Sequence, residues 1–432
     1  MTEELLHFVW KLKYFNHESL KTSNGEPVTI IYPGEYNTNA GPDFLNARIN
    51  IGSTTWAGNI EIHRKASEWT QHGHQNDEAY GNVILHVVYE EDGGISNPVM
   101  IPTIELKNRI SHNVLSTYSM LKNSISWIPC EDIINNVSSI NRDMWLERMA
   151  LERLEIKSGH IQKLLEEENN DWASAFYIQL SKNMGFKVNS SAFELLARSV
   201  PWKIILKYAN SRLQLESLLM GQAGFLEGVI KDDYARALQK EYNFLRNKHN
   251  LQTLENHRFK YLRMRPSNFP AIRLSQLADL LSNAHHLFSQ VLETNSLKNA
   301  RALLQASATE YWVSHTNIDK PLNKPVTKGI GKSSIDNLII NTVIPVLFSY
   351  GEIKDKPHYK ERALSLLESL PAENNIITRN WHERGMPNRN AMHSQSLISL
   401  KNNYCSLKKC LSCGIGSAIL KPRVNYNIKV YE

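Results

Sequence analysis

Two kinds of periodicity divide this chain and limit what it can fold into. Through residues 44–51 and 55–65 apolar and polar side chains alternate: Leu45, Ala47, Ile49 and Ile51 share one face, then Trp56, Ile60 and Ile62 share another. A period of two sends successive side chains to opposite sides of a strand. Residues 28–32, after a turn at Asn24-Gly25, add a strand. Residues 83–89 are apolar on both faces and read as a central strand, which Gly93-Gly94 links to a further one over 99–106. Leu5, Leu6, Val9, Leu12 and Phe15 form an amphipathic helix ahead of the strands, and 66–72 form a short helical piece between them. From about residue 140 alternation ends, and Trp145-Leu146-Glu147-Arg148-Met149 opens a long heptad-like stretch. The pattern predicts an α+β protein: a mixed-sheet α/β domain over 1–125, then a larger, mainly α-helical region over 126–432.

Composition places the chain among folded proteins, with 42% hydrophobic and 21% charged residues. It has no apolar run of membrane-spanning length, and MTEELLHFVWKLKYF opens on acids instead of a basic region. These features predict a cytoplasmic protein without a membrane partner. The net charge of +6 is unevenly spread. Residues 1–110 hold 8 Lys and Arg against 14 Asp and Glu, net −6, and the remainder holds 41 against 29, net +12. An acidic region able to hold a cation, joined to a basic helical region, suits binding and cutting of a polyanion.

The chemistry-bearing residues cluster between 35 and 86. Gly41-Pro42-Asp43-Phe44 precedes one strand, and Glu61-Ile62-His63-Arg64-Lys65 lies on the next, with Glu61, His63 and Lys65 on one face. The order of helix, three strands, helix, strand, strand resembles the core layout of the PD-(D/E)xK nuclease superfamily, whose fold is restriction-endonuclease-like. The resemblance implies that Asp43 and Glu61 hold Mg²⁺ or Mn²⁺, with Glu35 as a further carboxylate. His63 stands where that superfamily keeps a lysine, and Lys65 is the stand-in on the same face. Such an ion polarises phosphate and acidifies bound water. The same stretch offers a second arrangement: His63, His72, His74 and His86 with Asp77 match the ligand preferences of Zn²⁺ or Mn²⁺, although His86, in an apolar strand, also fits a hydrogen-bonded core histidine.

Three of the four cysteines, Cys405, Cys410 and Cys413, fall within nine residues, and Cys130 stands apart. This clustering favours a metal site over disulfides. Cys130 is the natural fourth ligand and His393 the alternative. A distant cysteine joined to a C-terminal triplet resembles the iron–sulfur staple of some RecB-like nucleases, and zinc is equally compatible. Basic and aromatic residues interleave through Arg258, Phe259, Lys260, Tyr261, Arg263 and Arg265, and Arg273 follows on a helix; these are candidate nucleic-acid contacts. Met264 to Leu277 and Gly385 to Leu397 form a weak repeat, each a Pro/Asn turn leading into a helix. Gly221 and Gly224 mark close helix packing or a turn.

The blocks GPDFLNARI, HGHQNDEAYGNVILHVVY, GQAGFL, RPSNFPAIRLSQL and YCSLKKCLSCGIG resemble the bacterial family catalogued as domain of unknown function 2851. That resemblance spans nearly the whole chain and implies a multi-domain bacterial architecture without a stated activity. The residues therefore predict a metal-dependent nuclease acting on phosphodiester bonds. The alternative is a non-catalytic nucleic-acid-binding or scaffold protein on a degenerate nuclease fold.

Overall fold

The computed structural model describes residues 1–93, 101–325 and 328–422, and divides into two units. The first unit comprises 1–146, 383–386 and the stretch from 398 onward; the second comprises 147–382 and 387–397. The division therefore lies at 146/147 and not at the expected 125/126, and the cysteine-bearing end of the chain belongs with the first unit. Among the described residues no helix is long and apolar enough to cross a membrane.

The first unit is built on a six-stranded sheet. Its elements are α1 (Glu3–Lys11), β1 (Val28–Tyr32), β2 (Glu35–Tyr36), β3 (Phe44–Ile51), β4 (Thr54–Lys65), α2 (Glu68–Gln71), β5 (Val83–Glu90), β6 (Thr103–Glu105) and α3 (His112–Asn123). The order is β1-β3-β4-β5-β6, with β2 also paired to β3. Pairing is antiparallel among β1, β2, β3 and β4, and parallel from β4 to β5 and from β5 to β6. The strand expected after Gly93-Gly94 is a parallel neighbour of β5. Of the expected 99–106, the described residues 101–106 hold the strand Thr103–Glu105, and residues 94–100 lie outside the described residues.

Helix α1 forms because Thr2 caps its N-terminus, Glu3 and Glu4 occupy the first turn and Lys11 the last. Its apolar stripe of Leu5, Leu6, Val9 and Trp10 is buried, and the helix packs against β4. The Trp10 indole N–H donates to the Pro33 carbonyl at 3.0 Å. A bulge between Phe44 and Ala47, with Asn46 at φ 58°, shifts the β3–β4 register while leaving Phe44 opposite Ile60. Asp43 and Glu61 therefore end up side by side at the mouth of that pair.

The second unit is helical, as the sequence pattern predicts; α4 (Ser139–Glu167) leads into it, and one two-stranded ribbon (His315–Asn317 with Lys320–Pro321) interrupts the helices. Its core is aliphatic and aromatic, including Phe193, Leu196, Leu218, Leu274 and Ile339, all fully buried. Gly221 resolves to close helix packing: a Cβ there would lie 2.0 Å from Tyr242 Cγ on the helix Asp233–His249. Ala is a better helix former than Gly by about 1 kcal/mol, but the overpacking costs about 1–3 kcal/mol. Gly221→Ala is therefore expected to lower the denaturation midpoint. An equal or raised midpoint would show that the helix–helix contact yields.

Candidate metal centre

The site begins with β4, where Ile60, Glu61, Ile62 and His63 are all buried. Ile60 and Ile62 enter the apolar core, which fixes Glu61 and His63 on the opposite face. Asp43 is tied to this strand by two backbone bonds: its own N–H donates to Glu61 Oε2 at 3.1 Å, and its Oδ2 accepts the Ile62 N–H at 2.9 Å. Asp43 and Glu61 are thus linked through the backbone at one end of the strand pair.

Imidazoles surround them. His63 Nε2 and His74 Nε2 lie 3.5 and 3.3 Å from Glu61 Oε1, and His7 Nε2 from α1 lies 3.2 Å from Asp43 Oδ2. These three buried nitrogens make no hydrogen bond. Among the described residues, His63, His72 and His74 form a group whose ligand atoms all lie within 4.8 Å of one another. The three grade outward from buried His63 through half-buried His74 to exposed His72, so the centre opens to solvent.

Local structure explains how His72 and His74 return to β4. Glu68 accepts the N–H groups of Arg64 and Lys65, starting the short α2 directly after the strand. Gly73 then adopts φ 75°, a left-handed conformation that glycine takes at little cost, and turns the chain so that both flanking histidines approach His63. Behind them stands an aromatic wall. Trp69 is 2% exposed and packs on His63, His74 and His86, and Tyr80 stacks on His74 with centroids 3.9 Å apart.

Burial sets the protonation. It pushes His63 down to about 2 and His86 down to about 4, with neighbouring histidines adding to both, so both rings are neutral. Burial, then His72, also lowers His74. His63 Nδ1 and His86 Nε2 are 2.8 Å apart and share one hydrogen bond. With the proton on His63 Nδ1, the His63 Nε2 lone pair faces Glu61, the state a metal requires, and His86 becomes the outer partner that fixes the ring. Burial and the Asp43 charge push the Glu61 carboxyl up to about 8. A bound dication reverses that preference.

The residues fit a metal ion. Ligand atoms sharing one ion at about 2.1 Å sit roughly 3.0–3.4 Å apart, close to the 3.3 and 3.5 Å of Glu61 Oε1 from the two imidazole nitrogens. The donor set is rich in nitrogen, so it suits Mn²⁺ or Zn²⁺ better than Mg²⁺, which prefers oxygen.

Other sequence candidates fall elsewhere. Glu35 is exposed on β2 opposite Leu45 and joins none of these contacts among the described residues. Lys65 is exposed, with its ammonium 4.0 Å from Asp92, so it does not supply the missing lysine. Asp77 caps the turn Glu78–Tyr80 through the Ala79 N–H. His86 is a core histidine held by His63. Arg273 is buried, donates to Gln276, Asn268 and Ser334 and sits 4.6 Å from the Phe186 ring, so it braces its own helix and is not presented to a polyanion. Phe259 is buried edge-on to Phe193 and Phe225, and Tyr261 packs on Phe269, leaving Arg258, Lys260, Arg263 and Arg265 as exposed cations without a stacking platform. His7 was not legible from sequence, because a histidine inside an amphipathic helix carries no signal. His72 and His74 were legible only as part of a histidine-rich stretch.

A groove of about 410 Å³ opens beside His7, lined by Phe8, Lys11, Tyr36, Trp145 and Cys413 among others. Lys11 sits 5.8 Å from the Tyr36 ring, and the Tyr36 hydroxyl is 3.4 Å from His7 Nδ1. Elsewhere in the first unit, Cys130, Cys405, Cys410 and Cys413 line one small cavity, with Cys130 and not His393 as the fourth. No curated protein and no solved structure shows significant similarity to the chain. A family model does match, over residues 3–376, and its description is a protein of unknown function; the chain belongs to that family, DUF2851.

Proposed function

We propose that this protein is a transition-metal-dependent hydrolase of phosphodiester bonds in nucleic acid, with His63, His72, His74 and Glu61 as the residues that would hold the ion and Asp43 beside them. The observation that carries this reading is the set of buried imidazole nitrogens facing Glu61 and Asp43 at 3.2–3.5 Å without hydrogen bonds. In a folded interior such groups are normally paired, and a shared cation satisfies His63 and His74 beside Glu61. When bound, the ion supplies a polarised phosphate oxygen and an acidified water.

The remaining work falls to the chain. Asp43 provides the negative charge that draws in the dication, Glu61 gives up its proton as the ion binds, and the Asp43 and Ile62 N–H groups hold the two carboxylates in place. His7 lies between Asp43 and the groove, where its Nε2 can give a proton to the departing alkoxide. Tyr36 and Lys11 offer a ring for a base and an ammonium for a phosphate. Apart from the two-residue β2, the element order of the first unit is the one on which the PD-(D/E)xK resemblance rests, and the net positive charge of residues 111–432 suits a polyanionic substrate.

The test is incubation of the purified chain with single-stranded and duplex DNA and RNA under Mn²⁺, Zn²⁺ or Mg²⁺. Cleavage is expected with Mn²⁺ or Zn²⁺, falling about 100-fold or more in Asp43→Ala and Glu61→Gln. Inertness toward all four substrates, or cleavage that persists in both variants, would remove the proposal.

A further inference from the structure

Four cysteines reach one cavity from two separate stretches of the chain. Cys130 lies in the turn after α3, where its carbonyl accepts the N–H groups of Ile133 and Ile134. Cys405 ends the wide π-helical segment Leu400–Cys405, Cys410 opens the turn Cys410–Ser412, and Cys413 directly precedes the helix Gly414–Leu420. The other cavity walls include Leu121, Pro129 and Tyr404. None of the four is in a disulfide, three are buried and Cys410 is half-buried. The backbone N–H groups of Gly416 and Ile415 are directed at Cys413.

Spacing then selects the occupant. Zinc binds sulfur at about 2.3 Å, which sets tetrahedral thiolates about 3.8 Å apart. Among the described residues no three of these sulfurs lie within 4.8 Å of one another, so a single ion cannot bridge them where they stand. A cubane cluster, whose four cysteine sulfurs bind four different irons, holds them farther apart than a single ion does.

We infer that the cavity is the seat of a [4Fe–4S] cluster ligated by Cys130, Cys405, Cys410 and Cys413. Each thiol gives up its proton to become a ligand, and the cluster ties the turn after α3 to the segment 405–413. Cys413 also lines the groove beside His7, so the cluster borders the proposed substrate path. The inference does not depend on the hydrolase reading.

The experiment measures iron and acid-labile sulfide in the full chain, purified anaerobically and reconstituted with equal ferrous and ferric iron and sulfide. About four of each per chain are expected, with broad visible absorption that dithionite bleaches. The double variant Cys405→Ser/Cys410→Ser is expected to lose most of the sulfide and keep any metal held by the histidines. Sulfide reports on the cysteine cavity alone, so its presence is independent of whether nucleic acid is cleaved, and the wild-type count stands even where the variant fails to fold. One zinc without sulfide, neither metal nor sulfide after reconstitution, or wild-type sulfide in the double variant would overturn the assignment.

Discussion

His74→Ala is expected to lower the affinity for Mn²⁺ or Zn²⁺ by more than about 100-fold, since even outer partners of metal ligands are worth 10–100-fold. Cleavage should fall at least as far. In the metal-free protein the same change should cost only the packing of the ring on Tyr80 and Trp69. His74 Nε2 is buried and makes no hydrogen bond, and Glu61 beside it is favoured in its protonated form, so removing the ring breaks no satisfied polar contact. The contrast separates a ligand from a packing residue. Metal at about 100 times its dissociation constant stabilises the wild type by about 2.7 kcal/mol, a shift readable in a thermal melt. The variant should show little of it at the same concentration. Equal metal-induced shifts in both proteins would mean that His74 does not touch the ion.

The sheet was legible where burial on one face imposed a pattern. Alternation over 44–51 and 55–65 gave β3 and β4 close to their observed ends, and the two-sided apolar run at 83–89 gave β5, which lies between β4 and β6. The β5–β6 orientation was not legible, because glycines after a strand mark a turn without fixing whether the next strand runs back or crosses over. The pair Asp43 and Glu61 could be read because each sits at a strand position whose neighbours, Phe44 and Ile60, declare the apolar face. His7 could not, since α1 and β4 meet only in three dimensions. The same limit concealed the return of 398 onward to the first unit; the cysteine count alone hinted at it. Arg273 misleads for a different reason. An arginine in a helix normally keeps its charge in water, and only the structure supplies the acceptors that let this one be buried.

Trp69→Ala is expected to cost about 3–5 kcal/mol, the range for truncating a buried tryptophan. The short α2 has this one buried side chain, and the vacated space would border His63, His74, His86 and Tyr80 at once. Those rings have few other constraints: His74 stacks on Tyr80, and His63 is held through His86. Loosening them should weaken metal binding by about 10–100-fold without removing a ligand. Trp69→Phe keeps most of the ring area and abandons no hydrogen bond, because the indole N–H has no acceptor. It should therefore recover most of both losses. Denaturation midpoints and metal titrations of the two variants distinguish this from a purely local effect. If the alanine variant loses stability but binds metal as tightly as wild type, the aromatic wall supports the fold and leaves the histidines to hold themselves.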